Sequence, residues 1–140
     1  IAPSLVGSEM CIRDSFESAD VVASYTYLDK SEDYRIDEVD ASFYALNYPP
    51  HRATLGLVWF ATDTVEVRID NEWRKQETNA LRNGGDSAFF SHVTFTYSPA
   101  QVEGLSLVLA VDNLWDERFE EIPGTPGRGD QYSATVTYFW

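Results

Sequence analysis

The residues from Thr64 to Trp73 alternate between apolar and charged side chains at nearly every position. Successive side chains of a β-strand point to opposite faces of the sheet, so this alternation predicts a strand with one apolar and one charged face. A helix would scatter the same charges around its whole surface. The predicted apolar side carries Val65, Val67, Ile69 and Trp73, and the charged side carries Glu66, Arg68, Asp70 and Glu72.

The same period of two recurs in five further segments, and no segment has a helical period. We therefore predict an all-β fold, an antiparallel up-and-down meander of about six strands that forms one open, curved sheet. The connections alternate in length, which puts all the long ones at one end of the sheet. The further strands include residues 21–27, 53–59, 93–97, 105–111 and 132–140, the long connections are residues 29–50, 75–87 and 115–130, and the short ones are residues 61–64 and 98–104.

Composition excludes several other classes of protein. The chain has 140 residues and a formal net charge of −13, which argues against nucleic-acid binding. No apolar run approaches the roughly 20 residues of a transmembrane helix. The single cysteine, Cys11, excludes a disulfide framework and a cysteine-based zinc site. Because the chain also lacks recognisable catalytic and phosphate-binding motifs, and because His51 and His92 have no carboxylate partner close in sequence, we predict no enzymatic activity, cofactor or metal site.

Alternation alone leaves two orientations of the sheet open. In a soluble, lipocalin-like barrel the apolar face points inward, and in a membrane barrel it faces lipid. The long strands, the long loops confined to one end and the aromatic residues near both strand ends favour the membrane orientation. The aromatic residues in question are Trp59, Phe60, Phe95, Tyr97, Tyr138 and Trp140 at the short-turn ends, and Tyr25, Tyr27, Trp73, Phe89 and Trp115 near the long-loop ends.

Residues 1–15 differ from the rest of the chain. They have no alternation, and they hold the only Cys and the only Met. We predict a non-native or disordered segment that makes few contacts with the sheet, with the last piece of a truncated strand as the alternative, and we place the folded domain at residues 16–140.

The end of the chain carries a more specific pattern. Asn113, Leu114, Trp115 and Asp116 precede a Pro- and Gly-rich loop that closes with Gly127-Arg128 before a last aromatic strand. This order resembles the last two strands of TonB-dependent outer-membrane receptors. The segments Tyr25–Asp29 and Pro49–Leu57 are similar to earlier strand ends of that family.

The resemblance implies a C-terminal piece of a receptor barrel in the bacterial cell outer membrane, used for energised uptake of a scarce solute of the siderophore, cobalamin or glycan class. Because such barrels have about 22 strands, six cannot close one. The implied partners are outer-membrane lipid, a plug domain and TonB acting through an N-terminal part, and the barrel-assembly machinery, which would read the final strand. That assembly signal comprises Val136, Tyr138 and Trp140, and Glu66, Arg68, Asp70 and Glu72 become charges that face the barrel lumen.

Overall fold

The computed structural model describes the backbone of residues 4–31 and 49–140 and the side chains of residues 9–29 and 49–140. These residues form strands and irregular connections, and no helix among them is long and apolar enough to cross a membrane. The predicted long loop over residues 29–50 lies mostly outside the described residues. The strands are β1 (Ser4–Phe16), β2 (Ala19–Ser31), β3 (His51–Thr62), β4 (Val65–Lys75), β5 (Ser87–Tyr97), β6 (Leu105–Asp112) and β7 (Gln131–Tyr138).

The seven strands form one sheet in sequence order, and each neighbouring pair is antiparallel. The sheet is open, because β1 and β7 are its two edges and do not pair with each other. The predicted all-β, up-and-down meander is therefore confirmed, with seven strands instead of six. Turns 17–18 and 63–64 and the connection 98–104 lie at one end, called here the short-turn end, and loops 76–86 and 113–130 lie at the other, the long-loop end.

The additional strand is β1, and it corrects the prediction for residues 1–15. Ser4–Phe16 pairs with Ala19–Ser31 along its whole length, so the expectation of few contacts with the sheet is wrong. A backbone ladder needs only free N–H and C=O groups on the neighbouring strand, and it can form without alternating side chains. The side chains of Met10 and Ile12 remain 66% and 62% exposed, since β1 is an edge strand.

The pairing register brings the predicted apolar positions of all strands onto one side of the sheet. Val21, Leu57, Ile69, Val93 and Val111 lie in a single row across five neighbouring strands, each opposite the next. We call this side the apolar face and the opposite side, which carries Glu66, Arg68, Asp70 and Glu72, the polar face. The alternation found in the sequence thus extends across the whole sheet.

The aromatic residues follow this division with three exceptions. The apolar face carries aromatic side chains near both strand ends, among them Tyr25 and Trp73 at the long-loop end and Trp59, Phe95 and Tyr138 at the short-turn end. Of the residues expected with them, Phe60 lies opposite Glu66 on the polar face, Trp115 lies in loop 113–130, and Trp140 lies beyond the end of β7. Phe60 directly follows Trp59, and strand neighbours face opposite sides.

The sheet has no second layer among the described residues. Pro50, Ala88 and Phe119 are the only apolar residues there that are buried, whereas most large side chains of the apolar face are partly exposed. Leu55 is 48% exposed and Leu109 is 56% exposed. A sheet normally buries one face against another element, so this face lacks the partner that its composition requires.

Candidate functional site

Loop 113–130 lies against the polar face at the long-loop end and borders a partly open cavity of about 470 Å³ there. One wall of the cavity comes from strands β4, β5 and β6, and the other comes from the loop. The sheet contributes Glu72, Arg74, Phe90, His92 and Asp112, and the loop contributes residues that include Glu117, Phe119, Glu121, Ile122 and Arg128. This combination of charged, amide and aromatic groups around a concave space is typical of small-molecule sites.

A chain of ion pairs connects the sheet to the loop. Arg52 donates to Glu72 at 2.6 Å, and Arg74 donates to the other oxygen of Glu72 through its Nε at 2.7 Å. Arg74 also pairs with Glu121 of the loop and lies 5.2 Å from the centre of the Phe90 ring. The side chains of Glu72 and Arg74 are only 16% and 19% exposed, so solvent screens this network less than an ordinary surface pair.

The four predicted lumen-facing charges therefore take different positions on one face. Glu72 lines the cavity under the loop. Arg68 and Asp70 pair with each other at 2.6 Å and border a second polar-face cavity, also of about 470 Å³, near Gly56. Glu66 lies nearer the short-turn end, opposite Thr96.

Asn113 fixes both ends of loop 113–130. Its side chain is buried, and its Nδ2 donates to the carbonyl oxygens of Glu117 and Arg128, each at 2.9 Å. Its Oδ1 accepts from the Glu117 backbone N–H at 3.0 Å. The backbone at Asn113 has a φ of 52°, a left-handed conformation that asparagine tolerates better than most residues. One side chain thus joins the two halves of the family-like motif.

The neighbouring motif residues attach the loop to β5. The Leu114 N–H donates to the carbonyl oxygen of Ser91 at 2.9 Å, and Trp115 Nε1 donates to Ser91 Oγ at 2.8 Å. Ser91 Oγ in turn donates to Asn71 Oδ1 at 2.7 Å. Because Asn71 and Ser91 are polar residues on the apolar face, this chain of bonds satisfies groups that would otherwise weaken that face. Asp116 accepts from the N–H of Asp130 at 3.2 Å.

Gly127 lies where the chain passes closest to itself. A Cβ at this position would collide with the carbonyl oxygen of Phe119 and lie 2.8 Å from its amide nitrogen. We expect Gly127→Ala to loosen the loop by about 1–3 kcal/mol, because the backbone must move to accept the methyl group. Gly85→Ala is the matched control, since its nearest neighbour would be the Ser87 nitrogen at 4.0 Å. Hydrogen exchange of residues 113–130 measures the effect, and equal exchange in the two variants would contradict it.

Sequence analysis did not identify Arg82, a residue of loop 76–86 whose side chain is completely buried against loop 113–130. Its guanidinium donates to Asp86, Gln76 and the carbonyl oxygen of Glu120, and its ring partner is Phe119. Loop residues have no periodic pattern, so a buried arginine there looks like any solvated one. The only indication in the sequence that Arg82 has a special role is that it is the one cation among the acidic and amide residues of 76–86.

The carboxylates of these loops are held in their charged form. Hydrogen bonds from the Gly124 N–H and from the side chain and N–H of Asn83 lower the pKa of Glu120 below its usual 4.5. At Asp86, desolvation works in the other direction, but hydrogen bonds from Arg82, Thr78 and the Asn79 N–H outweigh it and lower the pKa below 3.8. Both groups accept their bonds best when ionised.

These lowered pKa values predict that the loops loosen in acid. A carboxyl with a lower pKa in the docked state stabilises docking above its ordinary pKa, and it loses that contribution as the pH falls through the docked value. We therefore expect constant docking near pH 7 and progressive undocking below about pH 4.5. The difference in tryptophan emission between wild type and Trp115→Phe measures it. Glu120→Gln should show a smaller pH dependence, and tighter docking in acid would contradict the prediction.

The predicted assembly residues lie far from this site. Val136 and Tyr138 belong to the apolar face of β7, where they are 70% and 52% exposed. The last backbone hydrogen bond is donated by the Phe139 N–H to the carbonyl oxygen of Gly104, at 3.0 Å. Trp140 follows it and is fully exposed.

The two histidines have ordinary hydrogen-bond partners. His51 Nδ1 lies 2.7 Å from the Tyr25 hydroxyl, and His92 Nδ1 lies 3.2 Å from Asp112 Oδ1. Within the described part of the chain, no three His, Cys, Asp or Glu residues come together as a metal site would require.

No protein-family model and no curated protein matches the chain.

Proposed function

We propose that this chain forms part of the wall of an outer-membrane β-barrel of the TonB-dependent receptor type, which takes up a scarce solute. The observation that carries the proposal is the sidedness of the sheet. Most described large side chains of its apolar face are partly exposed, while its polar face holds the ion pairs, both cavities and the part of loop 113–130 that lines the first cavity. Lipid is a partner that would cover such an apolar face without a second protein layer.

The position of the loop supports this orientation over a soluble barrel. In a lipocalin-like barrel the apolar face would be the inside, and loop 113–130 would then cover charged residues on the outer wall. In a receptor barrel the same loop folds into the lumen, over Glu72 and Arg74, where a solute passes. The rows of aromatic residues are compatible with this orientation, because Phe89 and Tyr97 are eight residues apart along β5. That is about 26 Å along the strand and, at a tilt of about 40°, about 20 Å along the membrane normal, against an apolar band of ~25 Å in such barrels.

The proposed activity, uptake of a solute, is inferred from the cavity on the polar face. The cavity under loop 113–130 would hold a siderophore-, cobalamin- or glycan-class solute at the outer end of the lumen. A plug domain from another part of the receptor, and the separate periplasmic protein TonB acting through an N-terminal part of the receptor, would provide the energised step. The motif that resembles the receptor family, from Asn113 to Arg128, would serve to keep the loop folded over the lumen.

The decisive experiment compares tryptophan at two adjacent positions on opposite faces. One variant of the intact protein keeps Trp59 as its only tryptophan. The other is the same variant with Trp59→Phe and Phe60→Trp, so that its only tryptophan is at position 60. In vesicles with brominated acyl chains we expect strong quenching at position 59 and little at position 60. The protein should also fractionate with the outer membrane and change its gel mobility on heating. A soluble monomer without quenching at either position would instead support the lipocalin-like alternative and overturn the proposal.

Deleting Trp140 tests the proposed role of the C-terminal strand. This side chain makes no packing contact that protects it from solvent, so its loss removes little stability from the folded sheet. We expect less assembled barrel at the cell surface and an unchanged solute Kd in the molecules that do assemble. Surface-exposed barrel and Kd are measured side by side. Normal assembly with a large loss of affinity would show that the terminus belongs to a ligand site.

A further inference from the structure

The two long loops described at the long-loop end share a buried interface. The Arg82 side chain has no solvent exposure. Within loop 76–86 its guanidinium donates to Gln76 Oε1 at 2.7 Å, to Asp86 Oδ1 at 2.6 Å and to the Glu77 carbonyl oxygen at 3.0 Å. Its Nε donates across to the carbonyl oxygen of Glu120, at 2.9 Å, in loop 113–130.

The second loop makes reciprocal contacts. Phe119, which is 5% exposed, lies with its ring centre 5.3 Å from the Arg82 guanidinium carbon. The Glu120 carboxylate accepts from the backbone N–H and the side chain of Asn83, at 3.2 and 3.1 Å, and also from the Gly124 N–H. Each loop therefore supplies buried or hydrogen-bonded groups that the other loop satisfies. Because an unsatisfied buried donor or acceptor is costly, neither loop can open while these bonds persist.

We propose that loops 76–86 and 113–130 form one cooperative lid over the polar-face cavity, with Arg82 as the residue that positions it. Phe119 and Glu121 line the cavity, and Glu120 between them is held by Arg82 and Asn83 from outside it. Opening the cavity thus requires both loops to leave together. That the lid controls a solute rests on the proposed function, whereas the coupling of the two loops does not.

Coupling between sites is reciprocal, and this gives the test. Hydrogen exchange is measured by mass spectrometry on the two loops of the intact protein, in detergent, without any solute. We expect Arg82→Gln to accelerate exchange in both loops about tenfold or more. The variant loses the charged, forked guanidinium whose N–H groups bond both loops. Phe119→Leu, which alters loop 113–130 only, should likewise accelerate exchange in loop 76–86. Arg82→Lys keeps the charge but not the fork, and it should give an intermediate acceleration in both.

Arg118→Gln is the matched control. Arg118 is an arginine of loop 113–130, but its side chain is 68% exposed and, among the described residues, bonds only Asp116, so its loss should leave loop 76–86 unchanged. If Arg82→Gln prevents assembly, two other variants test the coupling. Phe119→Leu alters loop 113–130 and Asn83→Ala alters loop 76–86, and in each case exchange is measured in the other loop as well. Acceleration confined to the mutated loop in these variants would overturn the proposal. Since no solute is used, this result is independent of whether the receptor function is correct.

Discussion

Replacing Ile69 by lysine is expected to destabilise the assembled sheet by about 2–4 kcal/mol, the cost of a cation at the midplane of a membrane barrel. Ile69 lies in the middle of β4 on the apolar face, between Leu57 and Val93 of the neighbouring strands. In the proposed orientation its side chain points into the acyl chains of the lipid. Urea unfolding in lipid vesicles measures the free energy, and the amount of heat-modifiable protein in cells should fall in parallel.

Two lysine variants provide the controls. Thr96→Lys puts the same charge on the polar face, directly opposite Glu66, where we expect little change. Val65→Lys stays on the apolar face but lies at the short-turn end, where the cost should fall to about 0–1 kcal/mol. The prediction is wrong if all three lysines cost the same, or if the polar-face variant is the most damaging.

Replacing Asn113 by alanine is expected to release loop 113–130 at a cost of about 2–4 kcal/mol. The variant loses the two bonds that Nδ2 donates to the carbonyl oxygens of Glu117 and Arg128 and the one that Oδ1 accepts. Alanine is also disfavoured at the φ of 52°, and this backbone cost accounts for about 1–2 kcal/mol of that total. Hydrogen exchange of residues 113–130 and the emission of Trp115 measure the release.

Asn113→Gly separates the two causes, since glycine accepts the left-handed backbone and lacks only the side chain. We expect it to release the loop as well, but by about 1–2 kcal/mol less than alanine. Leu114→Ala is the neighbouring control, because Leu114 is 41% exposed and contributes its hydrogen bond through the backbone. A loop that stays docked in both Asn113 variants would show that the side chain is not what holds it.

The docked loop also explains how polar residues coexist with the apolar face. Asn71 and Ser91 interrupt that face one step from the Trp73 row, and Trp115 extends from the loop to bond Ser91. In the proposed orientation, release of loop 113–130 would remove the bonds that Leu114 and Trp115 donate to Ser91 on the lipid-facing side, as well as open the cavity. The wall and the lid are energetically linked through this chain of bonds.

The order of strands, the two faces and the ends at which the long loops lie followed from the sequence alone. Each depends on a local rule: strand side chains alternate with a period of two, and short connections join neighbouring antiparallel strands. The face taken by each residue from Val21 to Val111 could therefore be anticipated, whereas the register that aligns them in one row came from the structure. The prediction failed at β1, because a ladder of backbone bonds leaves no mark in the side-chain pattern.

Only the tertiary structure decided which loop residues meet. Arg82 and Glu120 are 38 residues apart, and Asn113 reaches Arg128 across a loop without periodicity, so nothing local links either pair. The motif around Asn113 could be recognised from the amino-acid sequence. That the Asn113 side chain holds the two parts of the loop together could not be predicted from it. The face that a strand residue takes is set by the alternation of side chains, which holds for every strand. Contacts between loops depend instead on where the paired strands place the ends of each loop. Those positions exist only after the sheet has formed.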